Sequence, residues 1–256
     1  MTRIREAAGG GRAVEVEPER LLGWFARFAE RHGGLVAVDG TAHRLRFAAA
    51  DGTSAEVAVP YGGLPDAPAA LGPDAAGAGA VGARAAEPGA GVVPAPPGVA
   101  AVLPDPVLAA LHAHLVAPRR TAIVLVRLGG YSVGIAVDGL VEASTTGARQ
   151  VHGRTRKGGS SSGRFARRRD NQARAALDAA ADAVARFLLP ALPTLDAVVL
   201  GGDAVALDAL RADRRLTALL SRAEPRVLDV PEPRRAVLDE AARRARAVEI
   251  VVREQE

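Results

Sequence analysis

Cysteine is absent from all 256 residues, which removes disulfides, thiolate metal sites and cysteine nucleophiles together. A reduced, cytoplasmic setting is expected. Aromatic residues make up only 3% of the chain while 56 positions are Ala, so the core must rest on many small aliphatic contacts rather than on large rings. No apolar run approaches the ~18–20 residues of a membrane span. The start, Met1-Thr2-Arg3-Ile4-Arg5-Glu6, lacks the apolar stretch of a signal peptide. A soluble protein without a membrane partner is expected. Lysine is nearly absent too: Lys157 is the only one among 33 basic residues, the rest being Arg, against 29 acidic ones.

The net charge of +4 conceals a strong asymmetry. From Arg149 to Arg174 there are nine basic side chains (Arg149, Arg154, Arg156, Lys157, Arg164, Arg167, Arg168, Arg169 and Arg174) and one acid, Asp170. This stretch carries +8 and leaves −4 for the remainder. Scattered arginines on solvated faces would explain an isolated triplet such as Arg167-Arg168-Arg169, but not the local depletion of acids. A one-sign stripe on an otherwise acidic chain is the footprint of a surface that meets a polyanion.

Residues Pro65 to Pro104 hold 14 Ala, 7 Gly and 8 Pro, with no sustained period of 2 or 3.6, and read as a linker. The expected division is a small α+β module over 1–62, a linker over 63–105 and a larger domain over 106–256. In the first, Glu19–Arg31 has the pattern of an amphipathic helix stopped by Gly33-Gly34, followed by strands at Leu35–Val38, Leu45–Ala48 and Ala55–Val59. In the larger domain, a helix at Pro106–Val116 precedes three strands, Thr121–Leu128, Tyr131–Val137 and Leu140–Thr146. Gly129-Gly130 and Asp138-Gly139 separate them as hairpin turns.

From Arg164 to Pro190 the period is helical. Steps of 100° gather Phe165, Ala173, Ala176, Leu177, Ala180, Val184 and Phe187 on one side, with Arg164, Arg167, Arg168 and Arg174 on the other and Arg169 on the apolar side. Beyond Pro193 the order is strand (Ala197–Leu200), helix (Ala204–Leu210), a turn of helix near Leu216–Leu220, strand (Arg226–Val230), helix (Arg234–Ala247) and a last apolar run, Val248–Val252. An antiparallel meander, a long helix and then alternating strands and helices predict an α/β fold with α+β character. The expected mixed sheet has helices on its faces and resembles the ribonuclease-H-like arrangement.

Between meander and long helix lies Gly153-Arg154-Thr155-Arg156-Lys157-Gly158-Gly159-Ser160-Ser161-Ser162-Gly163. A Gly-rich segment feeding a helix N-terminus offers unpaired N–H groups with the positive end of the macrodipole behind them, and cations flank it on both sides, an arrangement suited to phosphates. It is not a Walker A loop, since Lys157 precedes the glycines and Arg164 follows them, so no nucleotide is expected. The first meander strand carries no carboxylate to hold Mg²⁺. Asp138, Asp196 and Asp203 read as turn and capping residues, and His112 and His114, two apart, share no helical face. No metal or other cofactor is expected. A nucleophile among Ser160-Ser161-Ser162 would have only His152 as a nearby base.

Gly158 to Arg169, Gly-Gly-Ser-Ser-Ser-Gly-Arg-Phe-Ala-Arg-Arg-Arg, resembles the catalytic loop and following helix of the eukaryotic and archaeal class-I peptide-chain release factors, where Gly-Gly-Gln precedes Arg-Phe-Ala-Arg-x-Arg at the same offset. His152-Gly153-Arg154 and Val198-Val199-Leu200-Gly201-Gly202-Asp203 are also similar to that domain. The closer resemblance is to the Vms-type peptidyl-tRNA hydrolases, in their actinobacterial release-factor-like branch, over about residues 106–252. It implies hydrolysis of the peptidyl-tRNA ester on the large subunit of stalled ribosomes, in rescue or quality control, by a protein monomeric off the ribosome. It places Gly158, Gly159, Ser160 and Ser161 at the reacting centre and Arg154, Arg156, Lys157, Arg164, Arg167, Arg168 and Arg174 on RNA. The family's Gln falls on Ser160 counted without gaps, or on Ser161 under a Gly-x-x-Gln pattern. A backbone N–H can supply an oxyanion-type donor whatever the side chain, and a Ser hydroxyl can hold a water. A non-catalytic factor that binds ribosome or tRNA through the same loop and helix is the alternative. The Asn-Ile-Lys-Ser loop that reads stop codons in class-I factors is absent.

Overall fold

The computed structural model of the chain describes residues 4–7, 9–65, 106–148 and 162–254, and for 148 and 162–172 the backbone alone. Two compact units emerge, 1–116 with 248–256, and 117–247.

The first unit is a six-stranded antiparallel sheet covered on one face by two helices. Its elements are β1 (Ile4–Glu6), β2 (Arg12–Val16), α1 (Leu21–Arg31), β3 (Leu35–Thr41), β4 (Arg44–Ala49), β5 (Ser54–Ala58), α2 (Pro106–Val116) and, from the far end of the sequence, β11 (Val248–Arg253). The spatial order is β1-β2-β11-β5-β4-β3. Inward residues Val14, Val16, Leu45, Phe47, Val57, Ile250 and Val252 meet Leu21, Phe25 and Phe28 of α1 and Leu108, Leu111 and Leu115 of α2 in one core. Five of the chain's eight aromatics lie here; Trp24 stacks on Phe28 at 5.4 Å between centroids, and Phe25 meets Phe47 at 4.5 Å. The other face is charged, with Glu56 paired to Arg44 and Arg253, and Glu249 to Arg5.

This unit departs from the sequence expectation in three ways. The strands β1 and β2 were not expected; they are short and rich in Arg and Glu. The boundary at 106 placed α2 and the last apolar run in the second domain, whereas the structure builds both into the first unit. The burial pattern of β11 fits its place in this sheet. Val248, Ile250 and Val252 point inward while Glu249, Val251 and Arg253 are half-exposed, a period of two that suits a sheet with one wet face. Leu64, assigned to the linker, is buried in the same core.

The second unit carries a five-stranded mixed sheet built from β6 (Arg120–Arg127), β7 (Gly130–Val137), β8 (Leu140–Ala148), β9 (Ala197–Gly202) and β10 (Ala223–Leu228). Around them lie α3 (Ser162–Leu188), α4 (Ala204–Ala212), α5 (Thr217–Leu220) and α6 (Arg235–Arg246). The order β10-β9-β6-β7-β8, with β6, β7 and β8 antiparallel and β9 and β10 parallel to β6, is the ribonuclease-H-like arrangement. The interior of the central strand β6, Ala122 to Val126, is apolar without interruption because it is covered twice. Ala122, Val124 and Val126 face a core shared with α3 and α4; Ile123 and Leu125 face α6. Ala180, Ala181, Ala183, Val184 and Leu188 are the buried stripe of α3, so small side chains seat the helix close to the sheet.

The Asp138-Gly139 turn has positive φ at both residues (50° and 79°), as a two-residue hairpin loop of the primed kind requires. The first turn is Leu128-Gly129, one residue earlier than expected, because Gly130 pairs with both Arg127 and Ala148 and so belongs to the ladder. The strand expected at Arg226–Val230 begins three residues earlier, its parallel pairing with β9 interrupted by a register shift. Arg226 donates to Ala247 O at 2.6 Å, closing carbonyls at the end of α6.

Candidate functional site

The three strands of the meander and the two parallel strands place their turns on two opposite edges. Arg127 ends β6, Gly202 ends β9 and Leu228 ends β10; Gly130 begins β7 and Ala148 ends β8 beside it. The segment 149–161 therefore departs from the carboxyl edge of the parallel strands, the edge outside which ligands of open α/β sheets bind. Its residues Arg154, Arg156, Lys157, Gly158, Gly159, Ser160 and Ser161 lie outside the described residues.

The chain returns in α3, which must run from that edge back to the start of β9. Its 27 residues span about 40 Å. The eight residues of β6 span about 26 Å. The helix is longer than the sheet is tall, and Ala176 is its first buried residue among those whose side chains are described. The backbone positions of Arg164, Arg167 and Arg168 fall on the first turns of α3, N-terminal to Ala176. Arg174 is exposed.

The exposed stripe changes sign beyond Arg174. Asp178 and Asp182 continue it at spacings of four, both exposed, and Asp182 binds Arg215 at 2.8 Å. Arg215 also bonds Asp213, holding that carboxyl below its ordinary pKa. A polyanion following α3 would therefore meet attraction over its first half and a self-neutralised cluster over its second.

Turn chemistry stiffens the same edge. Asp203 caps α4, accepting from Ala206 N at 2.8 Å, and also accepts from Leu128 N at 3.3 Å, tying the β6–β7 turn to the end of β9. Arg127 reaches Val230 O at 2.6 Å, tying in the chain after β10. Gly202, at φ 129°, lies so close to β6 that a Cβ would collide with Val126 O. Asp138 and Asp196 serve as read from the sequence: the first lies in its turn and accepts from Arg119 N, the second accepts from Arg120 N at 2.7 Å. Replacing Asp203 by Ala removes two backbone partners, and a loss of about 2 kcal/mol in chemical denaturation is expected.

Among the described residues no group of three or more His, Asp and Glu is close enough to hold a metal ion. Among the described residues no helix is long and apolar enough to cross a membrane.

Residues 119–251, more than half of the chain, match the family described as Actinobacteria/chloroflexi VLRF1 release factor. The chain belongs to this family. The match takes in β6 to β10, the segment 149–161, α3 to α6 and the start of β11, so the basic segment and the sheet edge from which it departs are features of a release-factor domain. Membership points to a ribosome-associated, release-factor-like function. No curated protein matches the chain.

Proposed function

We propose that this VLRF1-family chain hydrolyses the ester between peptide and tRNA on the large ribosomal subunit, in rescue or quality control of stalled translation, in the cytoplasm and without metal or nucleotide. The observation that carries the reading is the coincidence of a release-factor family match with a Gly-rich, basic segment rooted at the carboxyl edge of the sheet. The unit 117–247 has 23 basic and 14 acidic residues, net +9, which favours an RNA-walled destination. Within it, Arg154, Arg156, Lys157, Arg164, Arg167, Arg168 and Arg174 hold phosphates. Gly158 and Gly159 admit the backbone to the ester, an N–H there stabilises the oxyanion, and the hydroxyl of Ser160 or Ser161 orients water. Water adds to the ester carbonyl, the acyl–oxygen bond to the ribose breaks, and the tRNA hydroxyl departs with a proton as the peptide acid is freed.

Release of peptide from purified peptidyl-tRNA–ribosome complexes, intact and split, tests this. Binding without release in either state would instead establish the second reading, a non-catalytic ribosome- or tRNA-binding factor. That reading has its own support in the serines at 160 and 161 where the resembling factors carry Gln.

Residues 66–105 we assign to a linker, on composition alone. Deleting 70–100 should shift the melting temperature by less than about 2 °C, because loop length alone contributes weakly to stability. A large drop would show that the segment packs.

A further inference from the structure

Tyr131 stands directly opposite Gly147 in the β7–β8 ladder, one pair before β8 ends. A Cβ on Gly147 would lie 2.5 Å from Tyr131 Cζ and 2.7 Å from its hydroxyl oxygen, so the ring occupies the space that any other residue at 147 would need. The rest of the ring packs on the core beneath α3. On the opposite face the neighbouring pair is joined by side chains as well, Ser132 Oγ to Thr146 Oγ1 at 2.7 Å. Two successive pairs at the end of β8 are thus held beyond their backbone hydrogen bonds.

Elsewhere on this face of the strands the core is filled without a ring. Tyr131 is the sole aromatic in the strands of this sheet, and two pairs further on the same face is served by Val133 opposite Thr145. A bare glycine at a strand end would leave the departing chain the widest choice of backbone angles, and a ring laid across it removes that choice.

We propose that Tyr131 is a positioning residue for peptide release: with Gly147 it fixes the direction in which the chain leaves β8 toward residues 149–161. The inference rests on the reading of that segment as the one that reaches the ester. Thirteen residues separate Ala148 from Ser162, and the path of the chain into them starts from the pair Tyr131–Gly147. A displacement of 1 Å costs on the order of 100-fold in rate.

The absence of cysteine makes the test direct. Nitroxide labels on Leu140→Cys, 72% exposed, and Thr155→Cys report the spread of distances between β8 and the segment. Tyr131→Ala and Gly147→Ala should each broaden that spread, while Tyr131→Phe should leave it unchanged. In the release assay on the unlabelled protein, Tyr131→Ala should lower kcat by about 100-fold with KM for the ribosomal complex unchanged, and Tyr131→Phe should restore it. Gly147→Ala deletes no core side chain and serves should Tyr131→Ala fail to fold. An unchanged spread in both Ala variants overturns the proposal whatever the release rate, and so does a Phe variant as impaired as the Ala variant. A broadened spread in a protein that releases no peptide keeps Tyr131 as the root of the segment and removes the hydrolytic reading alone.

Discussion

Gly159→Ala is expected to abolish peptide release while ribosome binding persists. The proposed chemistry needs main chain, not a side chain, against the ester carbonyl, in a cleft whose walls are RNA. At the adjacent Gly158 and Gly159 the absent Cβ allows that approach together with a positive φ. A methyl at 159 holds the N–H away from the developing oxyanion, and loss of one such donor costs about 100- to 1,000-fold in kcat. Ser160→Ala and Ser161→Ala each remove one hydroxyl and keep the N–H, so both should retain substantial release. The measurement is single-turnover release from ribosomal complexes, with binding followed by co-sedimentation. Wild-type release by Gly159→Ala would refute a backbone-driven mechanism. Complete inactivity of one serine variant would assign the water to that hydroxyl.

The sequence was most informative where a residue's surroundings are set by its neighbours in the chain. Thr121–Leu128, whose interior Ala122–Val126 is apolar without a break, proves to hold the doubly covered central strand, and Asp138-Gly139 forms the tight turn its two residues favour. The 100° spacing of Ala176, Ala180 and Val184 corresponds to the buried stripe of α3. Long-range choices were illegible. Nothing local in Val248–Arg253 says that it lies between β2 and β5 of the first unit rather than beside β10, since either sheet would accept its alternating pattern. Short charged strands such as Ile4–Glu6 bury too little to leave a periodic trace.

The candidate site divides along the same line. Its residue types were legible as a motif, because glycines, hydroxyls and cations cluster within twelve positions. Its place was not. Only the pairing of Gly130 with Ala148 puts the root of the segment on the carboxyl edge, and only the register of β7 against β8 brings Tyr131 over Gly147. A residue that acts by filling the space over a glycine 16 positions away leaves no mark on local composition.

The arginines at the head of α3 give the second large expected effect. If Arg167 and Arg168 each neutralise a phosphate, binding releases a condensed counterion at each, and the slope of log affinity against log salt reports how many are released. Arg167→Glu with Arg168→Glu removes two such contacts and sets two anions against the same phosphates. The slope should flatten by about 2 units, with affinity lost most at low salt, where attraction is least screened. The helical spacing sets both positions opposite the apolar side of α3, so the melting temperature should move by less than about 2 °C. Reversal of Arg186, on the far side of the Asp178 and Asp182 pair, should leave the slope unchanged, since the stripe has changed sign before it. Ribosome binding titrated across a salt series separates the outcomes. A double variant with the wild-type slope would mean that these arginines only solvate the helix, and a slope reduced equally by Arg186→Glu would mean that the whole length of α3, not its first half, lies on RNA.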